Sequence, residues 1–287
     1  MTDPPARLRS ILFTPGDNER ALEKARELPA DGLILDLEDA VAPGSKEAAR
    51  ERVCRAVASG GYGNRLLAVR VNSAGSAWHD ADLRAAAAAG PDAIVVPKVG
   101  SADQVRAIEA ALAAAGAPET TRIWAMLESP AAVLGAREIA AASERLTVLV
   151  MGTNDLTKEL RAEELPGREG LLTSLSLCLL AARAAGKAIL DGVFNDLQDL
   201  PGFEAECNQG RRLGFDGKTL IHPRQLDICN RVFSPSEAEV QQARRVIDAF
   251  ERAAKGGAAV ATVDGRMVES MHVETARRVL SVQNGAA

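Results

Sequence analysis

Short apolar runs recur along the chain, and each is followed by a longer stretch in which apolar positions return every three or four residues. Residues 10–14 form the first run, stopped by Pro15-Gly16, after which Asp17-Asn18 opens a stretch carrying Leu22, Ala25 and Leu28 on one face. That pattern predicts a strand, a tight turn and a capped helix. The unit then repeats: runs at 33–41, 66–72, 92–98 and 122–128 alternate with helical periodicity over 46–59, 78–89, 102–115 and a segment opened by Ser129-Pro130. A sixth run covers 146–151, with residues 152–156 reading as a loop beyond it. An insertion containing Glu163, Glu164 and Pro166 precedes a helix over 170–185. A strand over 187–191, a helix near 202–213 and an eighth strand within 214–221 follow.

Alternation of this kind implies a parallel α/β sheet, and eight repeats in about 230 residues suggest a closed (β/α)8 TIM barrel rather than an open, doubly wound sheet. The first strand is followed by Thr14-Pro15-Gly16-Asp17-Asn18 and lacks the G-x-G-x-x-G turn that a dinucleotide pyrophosphate needs. The barrel is expected to occupy residues 1–232. Residues 233–287 exceed what a barrel requires and predict a C-terminal helical extension: a helix over 235–255, a Gly-Gly-Ala-Ala loop, a short segment at 260–263 and a final helix through 277.

Composition narrows the function without choosing it. The 287 residues carry a formal net charge of −5 with both signs interspersed, which suggests neither a nucleic-acid groove nor a membrane-surface patch. No membrane-spanning stretch or leader pattern is read in the sequence, whose N-terminus is Met1-Thr2-Asp3-Pro4-Pro5, so a cytoplasmic protein is the expectation. Cys54, Cys178, Cys207 and Cys229 show no C-x-x-C spacing and read as small apolar residues rather than ligands.

The strand ends carry the chemistry. Catalytic groups of such barrels sit where strands end, and here the bodies of the runs are apolar while their ends carry Asp36 and Glu38, Arg70 and Asn72, Lys98, Glu128, Asp155 and Asp191. Asp36 and Glu38, two apart, project to one side of a strand and require a nearby cation. Asp39 reads equally as a helix cap. Glu128 and Asp155, on neighbouring strands five and six, would repel unless a cation or a shared proton intervened. Oxygen-only ligation by these two favours magnesium, with manganese as the alternative, over zinc. A glycosidase-like acid/base pair of carboxylates is the competing reading. Arg70 and Lys98 weigh against it because they suit an anionic substrate, although Arg70 could equally form a buried salt bridge with Asp36 or Glu38. His79 and His272 have no partner at motif spacing and read as surface residues. His222, beside Pro223, reads as structural.

An ordered set of segments resembles the citrate lyase β-subunit-like proteins of the HpcH/HpaI aldolase superfamily, to which malyl-CoA and citramalyl-CoA lyases belong. These are Arg9-Ser10-Ile11-Leu12-Phe13-Thr14-Pro15-Gly16, Leu35-Asp36-Leu37-Glu38-Asp39-Ala40-Val41, Arg70-Val71-Asn72, Pro97-Lys98-Val99, Glu128-Ser129, Gly152-Thr153-Asn154-Asp155-Leu156, Gly214-Phe215-Asp216-Gly217-Lys218 and Ile221-His222-Pro223. The resemblance implies a magnesium-dependent carbon–carbon lyase that cleaves or condenses a short 3-hydroxyacyl-CoA, giving a keto or aldehydic acid and an acyl-CoA. It implies that Glu128 and Asp155 bind magnesium, that Arg70 contacts substrate, and that Asp36 and Glu38 lie around the metal's water shell. Alternatives are a malyl-CoA thioesterase and a citryl-acyl-carrier-protein lyase β subunit working in a complex. The tail segment Gly265-Arg266-Met267-Val268-Glu269 resembles a family segment in which an aspartate stands at the place of Glu269 and serves as acid/base in a neighbouring subunit's site. A homo-oligomer, trimer or hexamer, is therefore implied, with residues 233–287 contacting the neighbour. Arg20, Lys24 and Lys46 are the candidate cations for coenzyme A, and the acyl group, whether malyl, methylmalyl, citramalyl or citryl, is left open.

Overall fold

The computed structural model describes residues 7–284, so Met1-Thr2-Asp3-Pro4-Pro5 lies outside the described residues. The chain divides into two compact units: residues 8–230, and Arg7 with residues 231–284.

The first unit is the expected TIM barrel. Strands β1 (Ser10–Pro15), β2 (Gly32–Asp36), β3 (Leu66–Arg70), β4 (Ala93–Val96), β5 (Arg122–Leu127), β6 (Leu146–Met151), β7 (Ala188–Asp191) and β8 (Gly217–Leu220) are parallel and close in sequence order. Closure pairs Ile11 with Thr219. It depends on a missing side chain: a Cβ on Gly217 would stand 1.7 Å from the Leu8 carbonyl oxygen, so only glycine lets the eighth strand approach the first. Alternate residues point inward, and Ile11, Ile34, Ala68, Val95, Trp124, Met126, Val148, Val150 and Leu190 fill the interior. The residues between them face the surrounding helices, which is why the strands read as continuous apolar runs instead of alternating ones.

Those helices are α1 (Glu19–Ala25), α2 (Lys46–Ser59), α3 (His79–Ala89), α4 (Ala102–Ala114), α5 (Pro130–Leu134), α6 (Ala136–Ala140), α7 (Thr153–Leu160), α8 (Leu172–Ala184), α9 (Leu200–Leu213) and α10 (Leu226–Phe233), the last crossing the boundary between the units. Side chains of Asn18, Ser101, Ser129 and Asp199 cap four of them. After β6 the assignment differs from the sequence reading. Residues 153–160 form a helix where a loop was expected, because Leu156 is buried and the Thr157 hydroxyl donates to the Thr153 carbonyl, anchoring an otherwise polar turn.

The second unit contains α11 (Glu237–Lys255), an antiparallel hairpin of β9 (Ala261–Val263) and β10 (Arg266–Val268), and α12 (Ser270–Asn284). Val263, Val268 and Val273 form its core with Val246, Ile247 and Phe250. The final helix outruns the expected end at 277. No helix among the described residues is long and apolar enough to cross a membrane.

Candidate active site

Register brings the first charges together. Asp36 and Arg70 pair across β2 and β3 and project on the same side as Ile34 and Ala68, into the barrel mouth. The guanidinium grips Asp36 with both ends, Nε to Oδ1 at 2.7 Å and Nη2 to Oδ2 at 2.6 Å, and lies 4.7 Å over the Phe13 ring. Asp36 also accepts the backbone N–H groups of Glu38 at 2.9 Å and Ala40 at 3.1 Å. Arg70 Nη1 stands 2.9 Å from Glu38 Oε2, an ion pair whose angle falls short of a hydrogen bond, and 3.7 Å from Asp39. Burial works against the charge of Arg70, but Asp36, Glu38 and Asp39 outweigh it and hold its pKa above the usual value. The salt-bridge reading of Arg70 therefore holds with both acids. Asp39 is exposed and caps neither α2 nor the short turn before it.

The second half of the cluster depends on two backbone features. Lys98 sits in the left-handed region at φ 55°, which turns its N–H onto Glu128 Oε1 at 2.6 Å, while its Nζ reaches Glu38 Oε1 at 3.2 Å. At the end of the adjacent strand, a Cβ on Gly152 would lie 2.2 Å from Glu128 Oε2, so glycine at this position makes room for the acid. Glu128 is 3% exposed. Burial pushes its carboxyl up to about 7; the Lys98 N–H opposes this, whereas Glu38 and Asp155 raise it further. Asp155 stands half-buried in the first turn of α7.

The balance of charge decides what this arrangement can hold. With all four carboxylates ionised, Asp36, Glu38, Glu128 and Asp155 would outnumber Arg70 and Lys98 by two, and the crowding contributes to the raised Glu128 carboxyl. Including Asp39 and the nearby Lys46 does not alter the imbalance. Among the described residues no three His, Cys, Asp or Glu side chains gather as a metal cluster. The oxygen donors of Glu128 and Asp155, one carboxylate buried and one half-buried, are of the kind that suits a hard divalent cation such as magnesium.

Other strand-end residues do not join the cluster. Asp191 follows inward-facing Leu190 and so points outward. There it accepts from Arg168 Nη1 at 2.7 Å and Lys218 Nζ at 3.1 Å, and its inclusion among the mouth charges is corrected. Lys218 and Arg168 also meet Glu206, at 2.7 and 3.4 Å. This second network borders a cavity of about 440 Å³ beside α7 and α9, whose walls include Thr153, Thr157 and Phe194 but none of the six mouth residues. Lys46 is buried, with its ammonium bonded internally, and is not available to coenzyme A, whereas Arg20 and Lys24 are exposed on α1. His79 is buried, its Nδ1 2.7 Å from the Asn72 carbonyl oxygen, which corrects the expectation of a surface residue. His222 caps the short turn after β8, and exposed His272 accepts the Glu269 N–H. Glu269 itself is exposed in the second unit, immediately before α12. The sequence reading gave no place to Asp82, Trp78 or Arg168, because their roles arise from contacts between helices and strand ends that no spacing reveals.

The family model described as HpcH/HpaI aldolase/citrate lyase matches residues 9–223. A (3S)-malyl-CoA thioesterase of Cereibacter sphaeroides is 52% identical over 273 residues, covering 95% of this chain and 93% of the relative. The citrate lyase subunit beta of Escherichia coli is 39% identical over 278 residues, covering 95% and 92%. Among solved structures, the protein CitE from Mycobacterium tuberculosis in complex with magnesium, acetoacetate and coenzyme A aligns with a TM-score of 0.75 at 30% identity, over 96% of this chain and 97% of that one.

Proposed function

This chain belongs to the HpcH/HpaI aldolase/citrate lyase family, and we propose that it is a magnesium-dependent enzyme acting on a short 3-hydroxyacyl-CoA of the malyl or citramalyl type, cleaving or forming the carbon–carbon bond beside the thioester. The observation that carries this reading is the excess of carboxylates over cations at the mouth, directly beside a guanidinium fixed by Asp36. Glu128 and Asp155 would hold the ion. When bound, magnesium would polarise the substrate's hydroxyl and carboxylate oxygens as a Lewis acid.

The chain's own residues have separable tasks. Arg70 is locked by two hydrogen bonds to one carboxylate, so it meets negative charge developing on a substrate oxygen without reorganising; one such donor contributes about 3 kcal/mol. Asp36 sets the plane of that guanidinium. Glu38, between Arg70 and Lys98, borders the water and substrate oxygens of the site, and Lys98 presents a half-exposed ammonium to an anionic group. Cleavage removes a proton from the substrate hydroxyl and returns one to the acyl-CoA enolate carbon. Glu269 is the proposed donor, supplied from the tail of a neighbouring copy in a homo-oligomer. Glutamate carries the acid on a longer arm than aspartate, so that step is sensitive to backbone placement.

Hydrolysis of malyl-CoA to malate and coenzyme A is a second reading, favoured by the 52% identity to a malyl-CoA thioesterase over nearly all of both chains. One assay separates them. Malyl-CoA, citramalyl-CoA and methylmalyl-CoA are incubated with enzyme and magnesium while keto or aldehydic acid and free thiol are followed together. Keto or aldehydic acid without free thiol supports the lyase, the free hydroxy acid with stoichiometric thiol supports the thioesterase, and neither product from any ester refutes the proposed substrate class.

A further inference from the structure

Next to the carboxylates lies a buried ammonium that the reaction outlined above does not use. Lys46, the first residue of α2, is 6% exposed. Its Nζ donates to the Leu37 carbonyl at 2.8 Å, the Glu38 carbonyl at 2.7 Å and Asn72 Oδ1 at 2.6 Å. An ammonium has three N–H bonds, and here all three are occupied by the protein.

The two carbonyls belong to the peptide units on either side of the Glu38 Cα. The unit before it is also held from elsewhere: its N–H donates to Asp36 Oδ1 at 2.9 Å, and its carbonyl accepts from Asn72 Nδ2 at 2.9 Å. With both peptide planes fixed, the direction in which the Glu38 side chain leaves the backbone is fixed as well. The anchor is itself braced. Asp82, fully buried, accepts from Asn72 Nδ2 at 2.6 Å and Arg50 Nε at 2.6 Å, and the Trp78 ring lies 5.4 Å from the ammonium.

We propose that Lys46 is a positioning residue for Glu38: it clamps the peptides flanking that carboxylate and thereby sets where its oxygens stand relative to Arg70 and Lys98. The significance of that placement rests on the reading of the mouth as a magnesium and thioester site. A planar guanidinium could not direct three donors to three acceptors arranged around one nitrogen, which accounts for lysine at this position.

The test uses the full chain and two readouts. Mn²⁺ binding is measured by electron paramagnetic resonance without substrate, and kcat with the apparent magnesium requirement is measured on whichever thioester is turned over. Lys46→Met keeps the length of the side chain and removes the donors; Mn²⁺ affinity is expected to fall about tenfold, as for removal of an outer partner of a metal site. In a Glu38→Gln background the same substitution is expected to change that affinity less than twofold, because the clamp then has no carboxylate to place. Unchanged Mn²⁺ affinity in the single variant overturns the proposal, as do losses that multiply independently in the double variant. If Lys46→Met does not yield folded protein, Lys46→Gln replaces it under the same criteria. A wild-type chain that binds Mn²⁺ with this coupling but turns over no thioester would refute the proposed reaction and leave the role of Lys46 supported. A wild-type chain that binds no Mn²⁺ overturns both.

Discussion

At the ends of β2 to β6, four buried or half-buried carboxylates share two cations. Behind β7 and β8, Asp191 and Glu206 share Lys218 and Arg168 one for one. Both clusters are built from aspartate, glutamate, lysine and arginine, and both lie within the barrel unit. They differ in closure. Both oxygens of Asp191 are occupied, Oδ1 by Arg168 Nη1 and the Gly192 N–H and Oδ2 by Lys218 Nζ, and the cluster is neutral within itself. The mouth cluster is left short of positive charge, with a Glu128 carboxyl driven up to about 7 chiefly by burial. A balanced cluster serves the fold, whereas an unbalanced one stores an electrostatic demand that a ligand can meet.

The sharpest way to break this contrast is to remove one acid from each cluster. Glu128→Gln is expected to lower metal-dependent turnover at least 10³-fold, on the order of 4 kcal/mol, and to abolish Mn²⁺ binding while the metal-free melting temperature stays the same or rises. Retained turnover would sink the metal assignment. Asp191→Asn has the opposite signature: it leaves Lys218 and Arg168 with Glu206 as their shared carboxylate, one buried positive charge uncompensated, and is expected to cost about 3 kcal/mol in denaturant unfolding, the range for breaking a buried pair. Unchanged stability there would mean that the second network is not structural.

Acidity sharpens the comparison further. Burial raises the Asp191 carboxyl, but Lys218 and Arg168 outweigh it and hold the group below its ordinary value of 3.8. The folded state thus binds that proton more weakly than the unfolded chain. Its contribution to stability is in place above 3.8 and is lost as pH falls through the depressed folded value. Lys218 is the mirror case: burial lowers it, Asp191 and Glu206 outweigh that, and the stability it adds is present below 10.5 and lost as pH rises through its raised folded value. Thermal unfolding followed against pH should therefore show an acid limb that flattens in Asp191→Asn. An unaltered limb would remove Asp191 from the account. The smallest effect concerns Lys98. Because its φ is 55°, Lys98→Gly should retain the N–H to Glu128 and exceed Lys98→Ala in stability by about 1 kcal/mol, measurable by chemical denaturation. Equal stabilities would show that the left-handed backbone relaxes.

Much of this is legible in the sequence. Strands buried on both faces announce themselves as apolar runs, so all eight were found, and Arg70 facing Asp36 follows once β2 and β3 are neighbours. Asp191 was misread because spacing gives a residue's place on a strand but not its face, and a shift of one position turns an inward group outward. Lys46 reads in the sequence as a candidate cation for coenzyme A because its actual acceptors are two carbonyls and an amide, groups that carry no sequence signal. The helix at 153–160 was missed because a single leucine, Leu156, supplies its buried aliphatic side chain.

Gly152 ties the choice of residue at 152 to the acid at 128. The hydrogen at Gly152 occupies a space in which even a methyl would lie 2.3 Å from the Glu128 Cβ as well as against its carboxylate. Position 152 cannot vary alone: an alanine there is compatible only with a residue at 128 whose backbone has moved, whereas position 128 can change while 152 stays glycine. A saturation library screened for folded protein should therefore return substitutions at 152 only together with a change at 128, but substitutions at 128 with glycine retained at 152.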